Sequence, residues 1–405
     1  MNLGDRLGHL AYSTLVHPGD TWEEMRASLV THLPEVKRRV SPDAPFGVSL
    51  RLSGSSAATL AADPAERAWL RDFLAAEDLY VYTVNAFPQG SFKGRKVMED
   101  VYEPDWSTEE RLAYTIDVAN VLADVTPDGV EPSIQTMPLA FRPKATDPAY
   151  VDTFTRNVLR LVAHLVDLEK RTGRRVKLAI EPEPFCYLET IEETARYFTE
   201  RLYSRSGADV LAAEAGIPLS EAHGAARRHL GVVFDICHQA VEFDDIPASL
   251  ELLAEAGVPV FKLQAAAALW VPEVTEETVA ELERFTDTIY LSQTSELRDS
   301  KVTRHLNLSD AIAAWRREPG GKREWRTHFH VPVFLDDLGP FRTTRWAIEQ
   351  ALDAHLAHPR STHLEIETYT WDVLPAHLKD GDIDDYVVRE LRWLSGYLTG
   401  GSAKA

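Results

Sequence analysis

Residues Val176–Phe185 read VKLAIEPEPF, an apolar run typical of a buried strand that ends at Glu181 and Glu183. The prolines beside these glutamates cannot donate to a sheet ladder, so the strand has to end there. Two further runs repeat the arrangement, LGVVFDICH at Leu230–His238 and HLEIETYT at His363–Thr370. Acidic side chains therefore stand at the carboxyl ends of several strands, where the ligand sites of parallel α/β folds gather.

Strand-like runs alternate with helical stretches along the whole chain. The nine runs are Gly8–Leu15, Phe46–Ser53, Leu79–Phe87, Pro132–Leu139, Val176–Phe185, Leu230–His238, Pro259–Ala266, Arg326–Phe334 and His363–Thr370. Helix start signals lie between them, including an N-cap acid at Asp63 and the capping boxes Ser107–Glu110 and Thr190–Glu193. Gly173 and Gly257 stand where helices are expected to end. This alternation predicts a mostly parallel sheet.

Polar residues occupy alternate positions within several runs. Ser49 and Arg51 alternate with valine and leucine in the second run, and Glu365 and Glu367 alternate with leucine and isoleucine in the last. Polar and apolar residues would also alternate in an antiparallel sheet with one face exposed to solvent, but the helices between the runs argue against such a sheet. We predict an α/β (β/α)₈ barrel over residues 1–405, with the polar rows facing inward. The rival is an open doubly wound sheet, whose usual Gly-rich phosphate turn is missing from AYSTLVHPGD.

Nine runs exceed the eight places in such a barrel. The surplus lies between Ala267 and Arg345, where two short helical patterns and the run THFHVPVF occur. We therefore predict a single domain with one insertion at residues 267–325. A second insertion at residues 204–229 is Ala/Gly-rich and expected at the surface, and the tail 400–405 is expected to be disordered.

Composition argues against several classes of protein. The chain has 405 residues, of which 44% are hydrophobic and 26% charged, as in ordinary globular proteins. Its net charge of −20 opposes binding to nucleic acid and to anionic membranes. Its two cysteines, Cys186 and Cys237, suit a reducing cytoplasm. With neither a signal peptide nor a long apolar stretch, we expect a cytoplasmic protein without a membrane span. Homo-oligomerisation is left open.

The acidic residues at the strand ends predict a divalent cation. Burying several unpaired carboxylates in a barrel mouth would cost several kcal/mol each, so a cation or protons must compensate. Glu, Asp and Gln oxygens suit Mn²⁺ or Mg²⁺, whereas imidazole ligands admit Zn²⁺. Taken alone, each residue has a simpler interpretation. His238 could be a core histidine, Gln264 an ordinary amide, and His328 and His330 exposed residues of an edge strand.

Longer strings resemble a known family. They are HPG-x-TW (His17–Trp22), VNAFPQGSF (Val84–Phe92), VYEPDWSTEERL (Val101–Leu112), LAIEPEP, THFHVPVF and HLEIETYTWDVLP (His363–Pro375). Through them nearly the whole chain resembles the EboE metabolite-traffic proteins. The motifs IEP, D-x-x-H and KLQ resemble the wider xylose-isomerase-like barrel superfamily, which includes sugar isomerases, epimerases and endonuclease IV. The family's gene association implies work on a cyclitol or similar polyol, or on its prenylated product.

The superfamily resemblance implies metal ligands residue by residue. It implies Glu181, Asp235 and Glu367 at the ends of strands five, six and eight. Two residues, Gln264 and His330, match the ligand expected after strand seven. His238 would be a second ligand or a substrate contact.

These residues predict a metal-dependent isomerase or epimerase acting on a small sugar or cyclitol-like metabolite. Glu181 and Glu367 would remove and return a proton on a carbon beside a carbonyl, with His238 also catalytic. The predicted substrate contacts are His17, Arg51, Asn85, Phe87, Gln135, Glu183 and Trp371. One alternative is a metabolite-binding carrier without turnover. Another is a metal-dependent phosphoester hydrolase, for which Arg51, Lys93 and Arg95 are candidate phosphate contacts.

Overall fold

Eight parallel strands form a nearly closed barrel in the computed structural model of the chain, which describes residues 1–92, 96–283, 290–370 and 381–400. The barrel strands are β1 (His9–Tyr12), β2 (Phe46–Arg51), β3 (Leu79–Asn85), β4 (Ser133–Thr136), β5 (Lys177–Ile180), β6 (Leu230–Asp235), β7 (Val260–Ala265) and β13 (His363–Ile366). Their order is β1-β13-β7-β6-β5-β4-β3-β2. A parallel bridge between Ser13 and Ser49 joins the two ends of this order. The predicted barrel is confirmed.

A second, antiparallel sheet of five strands is inserted between β7 and β13. Its strands are β8 (Ala267–Val271), β9 (Thr294–Arg298), β10 (Lys301–His305), β11 (Glu324–Val331) and β12 (Arg342–Thr343), in the order β10-β9-β11-β8-β12. The surplus run Arg326–Phe334 supplies most of β11, so it belongs to this sheet and not to the barrel. The sequence patterns did not predict this sheet. One buried apolar cluster includes both Leu263 of the barrel and Trp325 of the inserted sheet, and we therefore propose that they form one domain.

Helices surround the barrel and follow most of its strands. They are α1 (Trp22–Val40), α2 (Gly54–Ala62), α3 (Pro64–Ala76), α4 (Glu109–Val125), α5 (Pro148–Thr172), α6 (Ile191–Tyr197), α7 (Arg205–Ala215), α8 (Leu219–His229), α9 (Ile236–Val241), α10 (Ile246–Glu255), α11 (Glu276–Leu282), α12 (Leu308–Arg317), α13 (Arg345–Ala357) and α14 (Ile383–Thr399). Residues 204–229 fold into α7 and α8, which bury Leu211 and Ala225. None of the helices described here is long and apolar enough to cross a membrane. Of the tail, Gly400 caps α14, and residues 401–405 lie outside the described residues.

Capping residues fix where several helices begin and end. Asp63 accepts from the Ala65 amide, as predicted, and Gly173 ends α5 with φ 72°. Thr190 caps α6 by accepting from the Glu193 amide, but the second bond of the predicted capping box is replaced by one from the Glu189 amide to the Glu193 carboxylate. The predicted cap at Ser107 is wrong by one residue. Thr108 caps α4, because the amide and hydroxyl of Ser107 both donate to Asp105.

A buried polar layer fills the barrel below its mouth. Lys262 and Glu365 are both fully buried and form an ion pair of 2.8 Å. Lys262 also donates to the side-chain oxygen of Gln135, and Ser49 donates to Glu365. The Glu365 carboxylate is therefore neutralised within the protein. Glu367, two residues further along the chain, has no Lys or Arg partner in the part of the chain that the structure describes.

Candidate metal centre

Three carboxylates converge at the carboxyl ends of the barrel strands. Glu181 follows β5, Asp235 is the last residue of β6, and Glu367 follows β13. One oxygen of each lies within 4.8 Å of the other two, and all three side chains are buried. Within the described ranges, their only ion-pair contacts are to histidines at 3.9 Å. The strand ends thus bring together the three acids that the sequence singles out.

The side-chain amide of Gln264 lies in the middle of this group. Its nitrogen is 2.8 Å from Oε1 of Glu181 and 2.9 Å from Oε2 of Glu367. The same nitrogen donates to Oδ2 of Asp235. An amide nitrogen carries two protons, so it cannot satisfy three carboxylates at once. The Gln264 oxygen, by contrast, is buried without a hydrogen-bond partner among the described residues.

These four side chains fit a divalent cation. Turning the Gln264 amide over would exchange its nitrogen and oxygen while leaving the shape of the side chain almost unchanged. A neutral oxygen would then stand beside three carboxylate oxygens, a donor set that hard cations such as Mg²⁺ and Mn²⁺ favour. The same change would give the unpartnered Gln264 oxygen a partner.

A separate donor holds the second oxygen of each carboxylate. Gln135 donates to Oε2 of Glu181 at 2.5 Å, and Asn85 donates to Oε1 of Glu367 at 2.7 Å. The backbone amide of His238 donates to Oδ1 of Asp235 at 3.0 Å. Outer donors of this kind orient the ligands of a metal site. Each acid consequently keeps its other oxygen directed at the Gln264 amide.

Burial and like charge both act on these acids. Burial raises the pKa of Glu181 well above its usual range, and the neighbouring carboxylates of Glu367 and Asp235 add to this effect. Burial also raises the pKa of Glu367, with Glu365 as the main charged contributor. A cation at the centre would favour the ionised carboxylates and so oppose both shifts.

Two histidines of the inserted sheet lie beside the centre and contact groups other than the three carboxylates at shorter distances. Nδ1 of His330 lies 2.5 Å from the backbone oxygen of Glu367, and Nε2 of His330 lies 3.0 Å from Nε2 of His328. Burial lowers the pKa of His330 to about 4 and that of His328 well below its usual value. Of the two candidates after strand seven, Gln264 has its amide nitrogen within hydrogen-bond distance of all three carboxylates, whereas Nδ1 of His330 lies 3.9 Å from Oε2 of Glu367. Both His328 and His330 are buried, so the alternative of exposed edge-strand residues is wrong.

A cavity of about 510 Å³, open mouth included, lies over the centre. Its polar lining consists of Asn85, Gln135, Glu181, Glu183, His238, Gln293, His328 and Glu367. Its apolar and aromatic lining includes Leu15, Phe87, Phe92, Val97, Met98, Val101, Tyr102, Tyr290, Leu291 and Tyr369. A ligand in the cavity would therefore meet both polar groups and apolar or aromatic carbon.

Of the predicted substrate contacts, four reach this cavity and two do not. Asn85, Phe87, Gln135 and Glu183 line it, whereas His17 and Arg51 line a separate small pocket. Trp371 lies outside the described residues, as do Lys93 and Arg95.

Arg51 and His17 hold loops together. Arg51 donates to the backbone oxygens of Gly19 and Gly90 and forms an ion pair of 2.9 Å with Asp20. His17 contacts the Tyr12 hydroxyl at 2.8 Å. These contacts draw both side chains away from the cavity.

The structure adds residues that sequence reasoning missed. Tyr102 and Gln293 both donate to Oε1 of Glu183, at 2.9 and 3.1 Å, while Oε2 of Glu183 is buried without a hydrogen-bond partner in the described part of the chain. Tyr102 lies in the VYEPDW string, whose residue types do not by themselves indicate a contact with a buried carboxylate. No sequence pattern marks Gln293 as a cavity residue, because its position at the cavity depends on the inserted sheet.

Solved structures with similar folds agree with this architecture. A xylose isomerase-like TIM barrel protein from Mycobacterium smegmatis, in complex with magnesium, superposes with a TM-score of 0.52 at 12% identity, covering 98% of both chains. The chain has a xylose isomerase-like TIM-barrel fold. A D-tagatose 3-epimerase-like protein superposes with a TM-score of 0.49 at 12% identity, covering 97% of this chain and 98% of the other.

Neither a family model nor a curated protein matches this sequence. The resemblance to the EboE family therefore stays a prediction. At 12% identity, the structural likeness defines the fold alone.

Proposed function

We propose that this xylose isomerase-like barrel is a metal-dependent isomerase or epimerase acting on a small sugar or cyclitol-like metabolite. The observation that carries the proposal is the set of carboxylate oxygens from Glu181, Asp235 and Glu367 around the Gln264 amide. Glu181 and Glu367 also line the cavity, so the same groups can contact both a cation and a ligand.

Glu181, Asp235, Gln264 and Glu367 would hold the cation. Four oxygen donors favour Mg²⁺ or Mn²⁺ over Zn²⁺. The bound ion would stabilise the negative charge that develops on a substrate carbonyl oxygen when a neighbouring carbon loses its proton. The magnesium in the Mycobacterium smegmatis protein is consistent with an ion of this kind in the same fold.

Glu181 and Glu367 would move the proton. They project from β5 and β13, which two other strands separate in the barrel, so they approach the cavity from different sides. One carboxylate would take the proton from the substrate carbon, and the other would return a proton to the opposite face or to the adjacent carbon. The carboxylate that takes the proton would be ionised and the one that returns a proton would be protonated, and each turnover interchanges these two states.

The remaining lining residues would select the substrate. Oε2 of Glu183 accepts no hydrogen bond from the residues that the structure describes, so it can accept one from a substrate hydroxyl. Asn85 and Gln135 are largely committed to the two catalytic glutamates, so they would act mainly by positioning them. The mixed lining favours a substrate that combines a carbonyl and hydroxyls with apolar carbon.

Deuterium exchange tests this proposal. Metal-loaded protein is incubated in heavy water with a panel of ketoses and cyclitol ketones, and incorporation at carbon is followed by NMR. The proposal predicts exchange with at least one compound and its loss in Glu181→Gln. Tight binding of a compound without exchange would favour the carrier. Release of inorganic phosphate from phosphorylated analogues would favour the hydrolase, although no Lys or Arg lines the cavity among the described residues.

A further inference from the structure

Three imidazoles meet beside the carboxylate centre. Nε2 of His238 lies 3.2 Å from Nε2 of His328, which lies 3.0 Å from Nε2 of His330. His238 comes from α9, directly after β6, and the other two come from β11 of the inserted sheet. All three rings are buried, and two of them line the cavity.

The other ring nitrogen of each histidine has an oxygen partner. Nδ1 of His238 lies 2.9 Å from the backbone oxygen of Pro182, and Nδ1 of His330 lies 2.5 Å from that of Glu367. A carbonyl oxygen can only accept, so both Nδ1 atoms carry hydrogen. In the neutral rings, Nε2 of His238 and Nε2 of His330 therefore carry no hydrogen and each have a free lone pair.

The third histidine follows the same rule. Nδ1 of His328 lies 3.0 Å from the side-chain oxygen of Gln293. The Gln293 amide nitrogen is fixed at the other end, because it lies 3.1 Å from both Tyr102 and Glu183. Nδ1 of His328 consequently donates, and its Nε2 is also a lone pair.

The lone pair of His328 therefore faces those of His238 and His330 at hydrogen-bond distance with no proton in either gap, and both contacts are repulsive. We propose that His238, His328 and His330 bind a second divalent cation through their Nε2 atoms. An all-nitrogen set suits a borderline metal such as Zn²⁺, Co²⁺ or Fe²⁺ better than Mg²⁺. The three Nδ1–H···O contacts are the outer hydrogen bonds expected behind metal-binding imidazoles.

This site is distinct from the carboxylate centre in donor type, yet adjacent to it. Asp235, His238 and His330 offer ligand atoms within 4.8 Å of one another. The inference needs neither the proposed reaction nor an occupied carboxylate centre. It does require the inserted sheet, since β11 supplies two of its three ligands.

Metal counting on the full chain tests the inference. Protein is stripped with a chelator, reloaded with excess Co²⁺ and desalted, and its cobalt is measured by elemental analysis and visible absorption. Nitrogen-bound Co²⁺ of low coordination number absorbs strongly in the visible, whereas six-coordinate, oxygen-bound Co²⁺ absorbs weakly. We expect two equivalents in the unaltered protein. His328→Asn should lose one equivalent together with the strong absorption, and Glu181→Gln should keep the strong absorption.

His363→Asn is the matched control. His363 is a buried barrel histidine whose Nδ1 lies 2.9 Å from the Ser133 hydroxyl, and its replacement should leave both equivalents in place. If His328→Asn fails to fold, the zinc ligands are identified by X-ray absorption spectroscopy of the unaltered protein holding one equivalent of Zn²⁺. We expect three imidazole ligands. Oxygen-only coordination, or cobalt absorption that survives His328→Asn, overturns the inference. Loss of the metal only in Glu181→Gln would also overturn it, while leaving the proposed function intact.

Discussion

The amide nitrogen of Gln264 lies 2.8 Å from Oε1 of Glu181, while the amide oxygen of Gln264 has no hydrogen-bond partner among the described residues. With the nitrogen inward, the amide partly satisfies three carboxylates. With the oxygen inward, it would add a fourth acceptor to them, which only a cation would make favourable.

Replacing Gln264 by leucine should weaken metal binding. The variant loses one of four oxygen donors while keeping the approximate volume of the side chain, so we expect the affinity for Mn²⁺ to fall at least about tenfold. Titration calorimetry of chelator-stripped protein measures this. Unchanged affinity would show that Gln264 is not a ligand.

Glu365 and Glu367 offer a matched pair, since they lie on one strand face but only Glu365 has a buried lysine partner. Glu365→Gln leaves Lys262 as an uncompensated buried charge and should lower the free energy of unfolding by roughly 3 kcal/mol. Glu367→Gln removes an unpaired buried carboxylate, so the metal-free protein should lose little or no stability. Urea unfolding without metal distinguishes them, and equal losses in both variants would contradict the assignment.

The outer donors should matter for the metal more than for the fold. Asn85→Ala and Gln135→Ala each free one oxygen of a proposed ligand, and we expect metal affinity to fall roughly 10- to 100-fold. Asn157→Ala is the control, because this buried amide donates to the Trp106 backbone oxygen, outside the centre. If all three variants bind Mn²⁺ equally well, the outer donors do not orient the ligands.

Arg51→Met tests the loop-holding role of that residue. The variant loses an ion pair with Asp20 and two hydrogen bonds to backbone oxygens, so thermal unfolding should begin at a clearly lower temperature. Its Mn²⁺ affinity should stay unchanged, because Arg51 does not reach the cavity. A loss of Mn²⁺ affinity without a loss of stability would indicate that Arg51 contributes to the metal site.

The raised pKa of Glu390, on α14, predicts that the stability of the protein depends on pH. Burial raises its pKa to about 7, although Thr368 and the Val333 amide both donate to it. A carboxyl with a raised folded pKa contributes fully below its unfolded pKa, near 4.5, and that stability is lost as pH rises toward 7. Glu390→Gln should flatten this part of the stability curve and be the more stable protein at pH 8. Parallel curves for the two proteins from pH 4.5 to 8 would refute the shift.

The strand-end acids were predictable because their signal is local. An apolar run followed by Glu or Asp identifies a strand end, and parallel strands bring such ends to one edge, as they do for Glu181 and Asp235. The spacing of His328 and His330 was visible too, but not their burial, which the inserted antiparallel sheet produces. The alternation of polar and apolar residues in the second run predicts that the Arg51 side chain points inward. Only the loop conformations show that it donates to the backbone oxygens of Gly19 and Gly90.

The most direct test of the account is an anomalous difference map at the manganese absorption edge, from a crystal grown with Mn²⁺. The account predicts a peak at roughly 2.0–2.4 Å from oxygens of Glu181, Asp235, Glu367 and Gln264, with the Gln264 amide turned so that its oxygen faces the ion. A map without a peak there, in which the Gln264 nitrogen still donates to the three carboxylates, would contradict it.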